Sequence, residues 1–556
     1  MEIQRPWLKS QPPEVYSEEP PPSKPVHSLL SDSAKRSPNR TSVHYQGRSF
    51  SYSQVDDLSS RFATALASLG VKSGDRVALF LPNIPQFVIS YFGILKAGAI
   101  AVPCNPLYKE LELEHQLLDS GAEVIVAAND IVKGNDLFRS LELSRPRLKL
   151  RHVIATSVTD YLPPLKRRLA FVAGVKNVRR DNTLDFVTLV KSSTPMAEPA
   201  RVDPKADLAQ LQYTGGTTGV SKGAMLTHYN LYSNAIYMAR YLPMRETDVS
   251  LAVLPLYHIY GLSVCMNAPL SVGGETVLLP SFHVEEVMKI IQKRKVTLFS
   301  AVPTMYMAIN NNPKSRNFDL RSVRACVSGG AALPGAVRKN FNELTGGNLV
   351  EGYGLSETSP VTHCNPVSGG VVKDGSIGVP FPETDAAIVD IDDAGKFLPQ
   401  GSIGEVVIKG PQVMKGYWNQ GAETTAAFRG GWFLTGDIGR MDEDGYFYIV
   451  DRKKDMINVG GFKVYPRDVE EVLFSHPAIR EASVIGMPDS FSGEGVKAFV
   501  VLKDPAAKLT EAEVIAYCSE KLAKFKVPKK VEFVKELPKT LIGKVLRRKL
   551  REPPPQ

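Results

Sequence analysis

Short apolar runs alternate with helix-period segments early in the chain, and this alternation most limits the folds open to it. His44-Tyr45-Gln46-Gly47-Arg48-Ser49-Phe50-Ser51-Tyr52 alternates around a glycine turn, as a hairpin does. Over 53–69 apolar residues recur at helical spacing, and Gly70 stops the helix. Val77-Ala78-Leu79-Phe80-Leu81 and Val124-Ile125-Val126-Ala127 read as buried strands. Strands separated by helices pack in layers, so the fold class is α/β. A chain of 556 residues exceeds what one core organises, and two or more domains are expected. The most apolar run, 87–103, is cut by Lys96 and falls short of the roughly 20 residues of a membrane helix. It predicts a buried helix running into a buried strand. The N-terminus has no secretory apolar segment. The proline-rich residues 1–25, with Pro20-Pro21-Pro22, predict an extended or disordered arm on the surface.

One stretch carries chemistry: Tyr213-Thr214-Gly215-Gly216-Thr217-Thr218-Gly219-Val220-Ser221-Lys222-Gly223. Glycines let backbone N–H groups close on an anion, the hydroxyls of Thr and Ser add donors, and Lys222 adds a point charge. That is the composition of a phosphate-gripping loop. It is not a P-loop, because Gly223 follows the lysine where Ser or Thr is required.

Further along stand five more stretches in order. They are Val327-Ser328-Gly329-Gly330-Ala331-Ala332, Glu351-Gly352-Tyr353-Gly354-Leu355-Ser356-Glu357-Thr358 and Trp432-Phe433-Leu434-Thr435-Gly436-Asp437. Then come the run from Asp451-Arg452-Lys453-Lys454-Asp455 to Gly460-Gly461-Phe462-Lys463, and Pro538-Lys539-Thr540-Leu541-Ile542-Gly543-Lys544. With the loop, this series resembles the adenylate-forming superfamily of acyl-CoA synthetases, luciferases and peptide-synthetase adenylation domains. The Gly-Gly form of the loop looks most like the long-chain fatty acid–CoA ligases. The sequence departs from the family at Ser221, where many relatives have Pro, and at Ile542, where many have Ser.

The resemblance implies a large N-terminal domain of several subdomains over 26–452, and a small mobile α+β domain over 455–556. Lys454 falls at the hinge. It implies ATP, Mg²⁺ and CoA as ligands, with Lys544, Glu357 and Lys222 as the catalytic set. Thr214, Gly215, Gly216, Thr217, Thr218 and Gly219 would hold phosphates. Gly330, Ala331, Gly352, Tyr353 and Ser356 would lie along the adenine, and Asp437 and Arg452 would meet the ribose and nucleotide. Glu357 and Thr218 would ligate Mg²⁺, Thr217 being the other hydroxyl for that place. Gly460, Gly461 and Lys463 would line the CoA arm, and His258 would gate the acyl pocket. A medium- or long-chain fatty acid is expected, because the Gly-Gly loop, Leu254-Pro255-Leu256-Tyr257-His258-Ile259-Tyr260 and Asp451-Arg452-Lys453-Lys454-Asp455-Met456-Ile457 look like those of fatty acid enzymes, and 251–264 holds no charged residue. The alternatives are an aryl acid such as a cinnamate, or a ligase loading a carrier protein. No insertion blocks CoA between Asp451 and Pro466, which favours CoA over the carrier.

A net charge of +9 fits anionic ligands, and no basic–aromatic interleaving argues for nucleic acid. Five scattered cysteines fit a reducing, cytoplasmic setting. Residues 161–180 hold six basic and no acidic side chains among apolar ones. They read either as a peripheral membrane contact or as a solvated loop. Family habit adds a homodimer. In the C-terminal part, 482–487 and 496–502 predict strands. The capping-box pattern Thr510-Glu511-Ala512-Glu513 predicts a helix to about Lys524.

Overall fold

The computed structural model describes residues 4–12, 15, 19–214, 221–489, 492–539 and 545–551. Its first sheet has seven strands, in the order Leu184–Asp185, His152–Thr156, Val124–Ala128, Arg76–Phe80, Ile100–Pro103, Leu208–Thr214 and Lys222–Thr227. Every pairing is parallel except the last, an antiparallel hairpin in which Thr214 faces Lys222. A second sheet runs from Arg48–Ser51 through Thr41–Tyr45 and Glu275–Leu278 to Val249–Ala252. Single bridges at Leu298 and Ala301 link it to Ala325–Ser328, and from there to Asn348–Gly354 and Val361–Cys364. A third, antiparallel sheet gathers Asp385–Val389, Gly404–Lys409, Trp432–Met441 and Phe447–Arg452. The small C-terminal unit has its own sheet and its own core around Val469, Val484, Val500 and Val514.

The core helix Tyr52–Ser68 starts where expected for a chemical reason. Ser51 Oγ accepts the Gln54 N–H at 3.2 Å, while the Gln54 side chain accepts the Ser51 N–H at 2.9 Å. The helix Pro85–Lys96 is buried at all its positions, as the apolar run predicts, and leads into Ile100–Pro103. Its lysine is neutralised rather than solvated. Lys96 Nζ lies 2.7 Å from Asp56 Oδ1 and donates to Ser59 and Ser60 Oγ at 2.9 Å, all on Tyr52–Ser68. This satisfies a charge whose desolvation would otherwise be prohibitive.

Two expectations change. The helix after Thr510 spans Glu511–Ser519 and stops short of Lys524. The chain instead makes a 3-10 turn at Lys524–Lys526, and Phe525 stacks on Phe462 with ring centroids 4.6 Å apart. The arm is not simply an extended surface segment. Pro6–Lys9 is a 3-10 turn that sinks Trp7 completely, edge-on to Phe447 at 6.1 Å. Arg5 forks onto both oxygens of Asp385 at 2.7 and 2.9 Å. Gly445 makes room for this, since a Cβ there would stand 2.3 Å from the Trp7 nitrogen.

Candidate active site

The hairpin ends bring Thr214 and Lys222 together, with Ser221 Oγ donating to the Thr214 carbonyl. Gly215, Gly216, Thr217, Thr218 and Gly219 lie outside the described residues, as does Lys544. Lys222 does not stand alone. Its ammonium pairs with the Glu423 carboxylate and lies 5.3 Å over the Tyr417 ring. The Tyr417 hydroxyl donates to Glu357 Oε1 at 2.9 Å. Burial, then the Glu357 charge, raises the Tyr417 phenol well above its ordinary range, so it remains a donor. Lys222 and Glu357, read from distant stretches, thus belong to one cluster. Glu357 is half-buried, and Tyr417 engages only one of its two oxygens. Such a carboxylate fits Mg²⁺, which takes carboxylate and phosphate oxygens. Among the described residues no group of three or more acidic, His or Cys side chains forms a ready-made metal cage.

The second cluster stands at the ends of two parallel strands. Ser328 is paired with Glu351, so the turn at Gly330 and the segment Gly352–Tyr353 emerge side by side. Such carboxyl ends of parallel strands are where α/β sheets bind ligands. Gly330 has φ +84° and is exposed, as is Ala331. Gly352 is glycine for packing, because a Cβ would meet Val327 Cγ1 at 2.8 Å. The Tyr353 hydroxyl donates to Asp437 Oδ2 at 2.5 Å, and Arg452 Nε lies 2.6 Å from Oδ1. The Arg452 contact is electrostatic rather than an aligned hydrogen bond, leaving Oδ1 without a donor on axis. Asp437 is buried and cross-strand from Arg452. The sequence treats these three as separate motifs, and the fold joins them. Burial works against the Arg452 charge, and Asp437, then Tyr353 and Glu357, outweigh it and raise its affinity for its proton. Ser356 opens the short turn Ser356–Thr358 that carries Glu357.

The strand Phe447–Arg452 ends in the turn Lys453–Asp455, which holds Lys454. Burial lowers the Lys454 pKa to about 8, against the raising effect of Asp455. Lys453 donates to Glu405 Oε2 at 2.8 Å. Gly460 (φ +58°) and Gly461 (φ +87°) turn the chain between Ile457–Val459 and Phe462–Val464, and Lys463 reaches Asp392 at 3.0 Å. His258 is half-buried in the turn before a fully buried π-helical stretch, Gly261–Asn267, and its Nδ1 accepts the Tyr260 N–H at 3.2 Å. That bond is local to its own turn.

Sequence reasoning missed Tyr417, Glu423, Glu405 and Glu351. Tyr417 and Trp418 stand between strands in the run Gly416-Tyr417-Trp418-Asn419, an aromatic pair beside a glycine that was the available signal. The acidic residues carried none, because their partners are remote in sequence.

Residues 30–418 match the AMP-binding enzyme family, and 468–544 match the AMP-binding enzyme C-terminal domain. A long-chain-fatty-acid–CoA ligase of Bacillus subtilis (strain 168) is 46% identical over 560 residues, covering 99% of this chain and 98% of its own. Among solved structures, ATP-bound MatB from Rhodopseudomonas palustris superposes with a TM-score of 0.83 at 30% identity, covering 95% of this chain and 98% of its own. The anthranilate CoA ligase AuaEII in complex with anthranoyl-AMP gives a TM-score of 0.82 at 31% identity, covering 97% of each chain. With both family regions matched in order and a relative this similar along its whole length, the chain belongs to the AMP-binding enzyme family.

Proposed function

We propose that this enzyme joins a medium- or long-chain fatty acid to CoA through an acyl-adenylate, releasing pyrophosphate and then AMP. The observation that carries this reading is a charged site of two clusters, Lys222–Tyr417–Glu357 and Arg452–Asp437–Tyr353, each assembled by the fold from distant stretches. It has a cationic end for phosphates and a carboxylate end for a ribose diol. A carboxylate is a poor electrophile, so its oxygen first attacks the α-phosphorus of ATP and pyrophosphate leaves. That step requires two anions to be held together, which is work for positioned cations. Lys222 and Thr214 would grip the departing phosphates, and Lys544 would bridge carboxylate and α-phosphate. Mg²⁺ on Glu357, with a hydroxyl from Thr217 or Thr218, would offset phosphate charge. Adenine would lie along Gly330, Ala331, Gly352, Tyr353 and Ser356.

In the second step the CoA sulfur attacks the acyl carbonyl, loses its proton, and AMP leaves. The small domain would turn about Lys454, withdrawing Lys544 and presenting Gly460, Gly461 and Lys463 to the CoA arm. Two things support a fatty acid. One is the name carried by the Bacillus subtilis relative. The other is the absence of charge over 251–264, next to the buried stretch Gly261–Asn267 and His258. The reading keeps the enzyme cytoplasmic, peripheral to the inner face of a membrane, with a homodimer as its expected assembly.

The test is a thioester assay with ATP, Mg²⁺ and CoA, offering acids from acetate to palmitate plus 4-coumarate, and following AMP and acyl-CoA. Highest kcat/KM near palmitate supports the reading. Preference for 4-coumarate, or AMP formation without any CoA thioester, overturns it. Lys544→Ala should abolish adenylate formation while retaining thioester formation from supplied acyl-AMP.

A further inference from the structure

The helix Pro164–Val172 buries none of its residues. Leu165, Leu169, Phe171 and Val172 are 70, 57, 69 and 84% exposed, the densest group of exposed large apolar side chains among the described residues. Leu165, Leu169 and Val172 are spaced i, i+4, i+7, which puts them on one stripe. The opposite face turns to the protein, because Arg167 donates to the Thr159 and Asp160 carbonyls.

This is not a loose loop. On its N-terminal side Tyr161 is buried edge-on to Phe50 at 5.4 Å, with the Arg48 guanidinium over both rings. On its C-terminal side Val175–Asn177 pairs antiparallel with Asp130–Val132. The fold therefore holds an apolar stripe out into water, and a contiguous exposed patch of this kind marks a contact surface.

The charges say what kind of partner. Of the six basic residues in 161–180, Arg180 is taken up by Asp136 at 2.6 Å and Arg167 by backbone carbonyls. Lys166, Arg168, Lys176 and Arg179 make no ion pair among the described residues, and 161–180 has no acid to offer them. Arg168 borders the stripe on one side, and Lys166 flanks it on the other with its stem against the Gly47 turn. A second copy meeting this face about a two-fold axis would set the same cations against each other. Four side chains on one short helix also fall short of the roughly 800 Å² per partner of a stable protein interface. An anionic bilayer takes both features at once, its acyl boundary the stripe and its phosphates the cations.

We infer that Pro164–Val172 docks the enzyme on anionic membrane, with Leu165, Leu169 and Val172 in the acyl boundary and Lys166, Arg168, Lys176 and Arg179 on headgroup phosphates. This surface does not depend on the substrate reading. With a fatty acid as substrate, docking places the enzyme where its substrate partitions.

The test is co-sedimentation of the full-length protein, without ATP or fatty acid, with phosphatidylcholine vesicles that contain or lack phosphatidylglycerol. Binding should require phosphatidylglycerol and weaken with salt. Lys166→Glu with Arg168→Glu should lower partitioning about 30-fold or more. Leu165→Gln with Leu169→Gln should lower it about 10-fold or more with the charge unchanged. Both variants should keep the wild-type melting temperature and the wild-type turnover of detergent-dispersed palmitate. Partitioning that ignores phosphatidylglycerol, or that either variant retains, overturns the inference. So does wild-type self-association in vesicle-free sedimentation that the variants abolish, which would assign the face to a second copy.

Discussion

Glu351 is 8% exposed, and burial pushes its carboxyl up to about 7, against the Leu333 N–H at 3.1 Å and the Arg467 charge, with Asp374 adding to the rise. In the unfolded chain it titrates near 4.3. The folded state therefore holds this proton more tightly. The stability it contributes is complete below the unfolded value and is lost as pH rises through 7. A tenfold change in proton affinity is worth about 1.4 kcal/mol, so the loss is on the order of 3 kcal/mol. Glu351→Gln keeps the acceptor for Leu333 and removes the titration. Urea-unfolding curves of the two proteins should draw together towards pH 4 and separate by pH 8 in favour of the glutamine, and parallel pH profiles would refute the assignment. Tyr353→Phe tests the neighbouring contact. It leaves the ring and takes the donor from buried Asp437, which should cost about 1.5–3 kcal/mol in the urea midpoint. A change under about 0.5 kcal/mol would mean Asp437 does not depend on Tyr353.

At the scale of elements, the turn Lys453–Asp455 is tied to the last described helix, Arg547–Arg551. Arg547 reaches Asp451 and Asp455 at 3.2 Å and both oxygens of Glu470 at 2.8 Å, and Arg551 reaches Asp455 at 3.0 Å. All three acids are buried. Arg547→Ala strands them and should destabilise the C-terminal unit by about 3–5 kcal/mol at pH 7. The loss should shrink near pH 5, because burial already raises the Asp451 and Glu470 carboxyls, and protons can replace the missing arginine. Equal losses at both pH values would contradict this. None of this tie was legible in the sequence, since 96 residues separate Asp451 from Arg547. What was legible is local. Gly47 and the helical spacing over 53–69 each act through neighbours in the chain, and each led to the right hairpin or helix. The joining of Tyr353, Asp437 and Arg452 depends on sheet pairing and could be reached only through resemblance. Helix length after Ser519 failed for the same reason, because the pull of Phe462 on Phe525 is tertiary.

Across the whole molecule, contacts that fix differ in kind from contacts that can release. The N-terminal arm is fixed by burial. Trp7 fills a core shared by Ile377, Val379, Ile388, Val406 and Phe447, so it ties the end of the chain to the third sheet. The Lys463 contact between the small unit and the turn at Asp392 is polar and exposed, the Asp392 side chain being 82% exposed. Exposed pairs of this kind contribute little and break cheaply, unlike the buried Asp451–Arg547 tie beside Lys454. Trp7→Ala should therefore cost about 3–5 kcal/mol, the range for removing a buried large aromatic. Asp392→Asn should cost no more than about 0.5 kcal/mol. Both are read from urea unfolding of the full chain by far-UV circular dichroism, with the large domain's transition analysed separately from the small one's. If Asp392→Asn costs as much as Trp7→Ala, the small unit is locked rather than docked, and a turn about Lys454 between two half-reactions loses its physical basis.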